Sequence, residues 1–127
     1  MSELSAFDYA VLRVVPHVER EEFLNVGVIL YCRQRAFLGV CIRLDVSRLL
    51  ALAPQIDLAL VQSHLDQVRA VVMGQTEAGA LGQMSQSERF HWLTTPRSTT
   101  IQVSPVHGGL CDDPQDALDD LFTRLVA

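Results

Sequence analysis

The residues best suited to chemistry crowd into Glu88 to Gly109, ERFHWLTTPRSTTIQVSPVHGG, where two arginines, two histidines, the single tryptophan and two prolines fall together. Arginine forks bind carboxylate or phosphate in two-point contacts, and histidine gives or takes a proton near neutrality. Arg89 and Arg97, joined by Arg13 from further back, would clamp an anion, and His91 or His107 would be the acid or base. Ser98, directly after Pro96-Arg97, is a nucleophile only if a histidine reaches it, and no G-x-S-x-G elbow surrounds it. Asn25, the polar exception in an apolar run, completes the candidate ligand-binding set of Arg13, Asn25, Arg89, Arg97 and Ser98.

Those groups need elements to aim them. Read with a period of two, Phe90 and Trp92 share one face of a strand and Arg89 and His91 the other. A turn around Pro96 leads to a second strand in which Ile101 and Val103 alternate with Thr100, Gln102 and Ser104. The polar face would then gather Arg89, His91, Arg97, Gln102 and His107, as a site or as a merely solvated sheet face. Upstream, Asp8–Val15, Phe23–Cys32 and Ala36–Leu44 read as a meander of strands, with Gly27 marking a bulge or a close backbone approach. Asp45 caps a short helix that Pro54 stops, and Asp57 caps a longer one ending at Gly74. Gln75–Ser87 loses periodicity and reads as a loop, while Asp113-Pro114 opens a last amphipathic helix. The resulting expectation is one α+β domain over residues 1–127, with a mostly antiparallel sheet of about five strands and the two long helices packed on one face.

Composition removes several chemistries. All ten basic residues are arginine, so Schiff-base lysines, P-loops and kinase phosphate-binding lysines are excluded. A net charge of −5 argues against a general nucleic-acid binder. No apolar run is long enough to cross a bilayer, and Met1–Asp8 does not read as a signal peptide, so the expectation is a soluble, cytoplasmic protein. Cys32, Cys41 and Cys111 are odd in number and lack C-x-x-C spacing, which suggests neither a disulfide framework nor a zinc cage. Asp112 and Asp113 beside Cys111 disfavour its thiolate. His64 on the long helix has no second ligand at helical spacing, and the aspartates of the last helix suit its dipole and solvent better than a metal. No cofactor or metal is expected.

The order of Arg13 and Pro16, Glu22–Val28 (EFLNVGV), Glu88–Leu93 (ERFHWL), Pro96-Arg97-Ser98 and Ser104–His107 (SPVH), followed by the acidic last helix, resembles the bacterial domain-of-unknown-function family 3037 over nearly the whole chain. That resemblance implies a small cytoplasmic bacterial protein, in association with a HipA-like kinase encoded nearby, but no assigned reaction. Beside a nuclease-like role, which would need Asp8, Asp45 or Glu22 to meet at a metal and which the net negative charge opposes, two readings of function stay open. One is a binding or regulatory module that acts through a protein partner, with Trp92 and Tyr31 as contacts. The other is a domain that binds or hydrolyses a phosphorylated or carboxylated small molecule on the Arg/His face. Homo-oligomerisation is compatible with either.

Overall fold

The structure, a computed structural model, describes residues 3–96 and 100–127. Five strands, β1 (Ser5–Val14), β2 (Leu24–Cys32), β3 (Phe37–Ile42), β4 (Ile101–Val103) and β5 (His107–Cys111), form one antiparallel sheet. The helices are α1 (Val46–Leu52), α2 (Leu58–Met73), α3 (Gln86–Thr94) and α4 (Pro114–Leu125). β1 is central: β2 pairs along one side of it, and β4 and β5 lie end to end along the other. β3 closes the far edge beyond β2.

The expected α+β sheet of five strands is present, but the two long helices take opposite faces. The reason lies in β2, which is apolar at both parities. Ile29 and Tyr31 point to the core shared with Leu65, Val61 and Phe90, whereas Val28, Leu30 and Cys32 point to the core shared with Leu118 and Leu121. A strand apolar on both sides needs cover on both sides, so α2 and α3 pack on one face and α4 on the other. The predicted irregularity at Gly27 also appears. The β1–β2 register slips between Leu12 and Arg13, and a Cβ on Gly27 would sit 2.7 Å from the Cys41 carbonyl oxygen.

The helix ends follow the sequence signals. Asp45 and Asp57 accept hydrogen bonds from the Arg48 and Leu60 amides, each at 3.1 Å, and Gly74 ends α2 with a φ of 64°. Asp113 caps α4 through the Gln115 amide, with Pro114 in its first turn.

The strand expected over 88–93 is instead helix α3. Ser85 and Glu88 form a reciprocal capping box, in which the Ser85 hydroxyl accepts from the Glu88 amide at 3.1 Å. Phe90 and Leu93, three apart, are the buried pair, so helical spacing overrides the two-residue alternation that Phe90 and Trp92 suggested. The stretch expected as loop over 75–87 carries 3₁₀ turns over Thr76–Gln83, broken at Gly79, before α3 begins. The fifth strand is His107–Cys111, HGGLC, whose paired glycines conceal it from propensity.

Candidate functional site

The helical geometry of α3 dismantles the polar face expected around it. Arg89 turns inward to the end of α2, where Nη1 donates to the Val71 and Val72 carbonyls at 2.9 and 2.7 Å and Nε donates to the Met84 carbonyl at 3.0 Å. Its guanidinium is occupied in holding the fold. His91 is exposed on α3, and its carbonyl accepts the Thr95 hydroxyl at 2.7 Å. His107 lies in β5 against Tyr9, with ring centroids 5.5 Å apart, on the face that α4 covers in part. His91 and His107 are therefore on opposite sides of the sheet and cannot act as an acid–base pair. Arg97 and Ser98 lie outside the described residues.

Two of the expected ligand residues do come together. Arg13 on β1 is in register with Asn25 on β2 and with Gln102 on β4, which makes a polar row across three strands. By strand parity the row lies on the α4 side, as do Tyr9 and His107. Asn25 Nδ2 donates to the Leu125 carbonyl at 3.2 Å, which ties the row to the end of α4. Phe23 stacks over the Arg13 guanidinium, its ring centroid 4.1 Å from Cζ. Arg13 Nε and Asn25 Oδ1 are both buried and without a hydrogen-bond partner. Among the described residues no carboxylate pairs with Arg13; the ion pairs are Arg20–Glu22, Arg69–Asp66 and Arg124–Asp120. Sequence reasoning found Arg13 and Asn25 but missed Phe23, whose only signal is its position one residue before the strand that carries Asn25.

The aromatic contact candidates Tyr31 and Trp92 are half-buried. Tyr31 packs against Phe90 at 5.5 Å, within the core beneath α3. Trp92 borders a cavity of about 220 Å³ between α2, α3 and β4, with Leu12, Val68, Leu93 and Val103 among its walls. His64 reaches this cavity as its one titratable side chain among the described residues, so it offers apolar burial but no acid–base couple.

Exposed apolar side chains are scattered over the surface, from Leu4 and Met73 to Leu110 on β5. Among the described residues β5 pairs only with β1, and no strand pairs with its outer edge. Leu110 is 66% exposed, and Val106, in the link before β5, is 45% exposed. Asp8 lies beside this edge, its Oδ1 3.7 Å from where a Cβ on Gly108 would be, and the exposed Asp112 and Asp113 follow the strand.

Two of the three thiols sit where burial disfavours the thiolate. Burial raises the Cys111 thiol above its ordinary range, with neighbouring Cys32 and then Asp113 adding to the effect. Burial also raises Cys41, whose Sγ is 3.8 Å from Asp119 Oδ1. The acidic neighbour foreseen for Cys111 contributes, but burial dominates. Among the described residues no group of three or more His, Cys, Asp or Glu side chains is placed to hold a metal, and no helix is long and apolar enough to cross a membrane.

Comparison with curated proteins and with solved structures gives no match. A family model matches residues 9–126, and on that match the chain belongs to the family described as protein of unknown function, DUF3037.

Proposed function

We propose that this domain is a binding module acting through a protein partner, which adds an extended, basic segment to the free edge of β5. The observation that carries the reading is the edge itself. His107–Cys111 contains no proline, lysine or carboxylate, the usual guards of an open edge, and it exposes Leu110. Strand addition supplies main-chain hydrogen bonds, and an exposed side chain beside the edge supplies selectivity. Asp8, Asp112 and Asp113 give the surroundings a negative character that favours a basic segment. Arg35, whose charge reaches Cys111 at the end of β5, is engaged with the Ser5 hydroxyl and the Glu3 carbonyl.

The first partner to try is the HipA-like kinase suggested by the resemblance. The two proteins are co-expressed, the complex is weighed by native mass spectrometry, and amide exchange is followed across the sheet. The reading expects a fixed stoichiometry with slowed exchange at residues 107–111. A complex that leaves those amides unprotected removes β5 as the contact, and the absence of any stoichiometric complex counts against this partner.

A second reading, that the domain binds a small anion, is favoured by one specific observation: a partly buried Arg13 without an acidic partner among the described residues.

A further inference from the structure

We infer that Arg13 and Asn25 form a site for a small monoanionic carboxylate with a hydrogen-bond donor on the adjacent carbon, the chemistry of a 2-hydroxy acid. This inference rests on the small-anion reading and names the ligand class.

The two orphan atoms are complementary in kind. Arg13 Nε carries a hydrogen to donate, and Asn25 Oδ1 has lone pairs to fill. They project from register partners on adjacent strands, on the side of the sheet that α4 covers. The orientation of the asparagine is set by its other end: Nδ2 donates to the Leu125 carbonyl, and flipping the amide would bring two oxygens together. Oδ1 is thus held as the acceptor. A simple carboxylate would satisfy the guanidinium and leave Oδ1 unfilled, whereas a neutral donor would fill Oδ1 and leave the cation uncompensated. A water molecule could bridge both atoms but brings no charge. A carboxylate with an adjacent hydroxyl meets all three needs.

Charge further restricts the class. The Leu125 carbonyl belongs to the last turn of α4, where the helix dipole is negative. That end tolerates a single negative charge balanced by Arg13 and opposes a dianion, which places a carboxylate ahead of a phosphate monoester. Phe23 holds the guanidinium plane from above and is itself 47% exposed, outside the strand. It is the part of the cover over Arg13 that meets solvent.

The test is a side-chain amide titration by NMR, following the Arg13 Nε–H resonance, assigned with Arg13→Gln. Acetate, glycolate and inorganic phosphate are compared at constant ionic strength. The inference expects glycolate to shift this resonance with about tenfold higher affinity than acetate, the ratio expected when a buried acceptor gains its donor. Phosphate should bind more weakly than glycolate. Asn25→Ala, once shown to be folded by its thermal transition, should bring glycolate and acetate to parity. If all three anions shift the resonance equally, the ligand class is overturned and the small-anion reading stands. If none shifts it, both fall.

Discussion

Arg89 donates through Nη1 to the carbonyl of Val72 at 2.7 Å, reaching back across 17 positions to close the end of α2. The contact joins two helices that are connected only by 3₁₀ turns, and it supplies a cation at the helix terminus where the dipole favours one. A residue that looks like a ligand clamp in the sequence is a structural clamp in the fold.

Arg89→Ala should therefore lower stability by about 2–3 kcal/mol, since it removes charge-assisted bonds and strands partly buried carbonyls. Equilibrium urea unfolding measures this. Arg89→Lys should recover only part of the loss, because an ammonium on a single stem cannot reach both the end of α2 and the Met84 carbonyl in the same geometry. Wild-type stability in Arg89→Ala would show that these carbonyls are satisfied in another way.

Ser104 gives a second structural prediction. At the end of the β1–β4 ladder the Ser104 amide donates to the Val11 carbonyl at 2.9 Å, and the buried Ser104 hydroxyl accepts from the Val11 amide at 2.8 Å. Ser104→Ala would orphan that amide, at a cost of about 1–3 kcal/mol. Hydrogen exchange at Val11 should accelerate selectively compared with Leu30, which lies in the β2 core. Equal acceleration at both would indicate a global loss of packing instead.

How much of this was legible in the sequence depended on whether the signal was local. Asp45, Asp57, Gly74 and Asp113 act on backbone groups within a few residues of themselves, so the ends of three helices could be read directly. The segment from Ser85 to Leu93 carries two periodicities at once, and only the capping box separates them. Favouring Phe90 and Trp92 over Phe90 and Leu93 turned a helix into a strand, and the proposed site around Arg89 and His91 failed with it. The row through Arg13, Asn25 and Gln102 depends on strand registers that no single sequence displays, and so does the opposite placement of α2 and α4. Arg13 and Asn25 were visible only as polar interruptions of apolar runs.

The β5 edge predicts a separation of binding from stability. Leu110 is exposed, so Leu110→Lys should change unfolding free energy by no more than about 0.5 kcal/mol. The same change places a guard cation beside the edge and should weaken a basic, strand-adding partner at least tenfold, measured by titration calorimetry with the co-purified protein. Asp8→Asn should weaken it less and flatten its salt dependence. Unchanged affinity in Leu110→Lys would move the contact away from β5.

The cysteines predict an alkaline limit to stability. Burial raises Cys111 and Cys41 in the folded chain above the ordinary thiol range, which is their range when unfolded. The unfolded state therefore loses thiol protons at a lower pH than the folded state. The stabilising contribution of the two thiols is complete below the unfolded value, near pH 8.5, and is lost as pH rises through the folded values. Unfolding free energies measured in a reducing buffer should fall from about pH 8.5 upward. The slope should be shallower in Cys111→Ala and Cys41→Ala, each compared with its own value at neutral pH. Alkylation of Cys111 by iodoacetamide at neutral pH should be slow and should follow local opening of β5, so a partner bound at that edge should slow it further. Rapid alkylation in the native protein would show that the thiol is not buried as placed, and the alkaline prediction for Cys111 would fail with it.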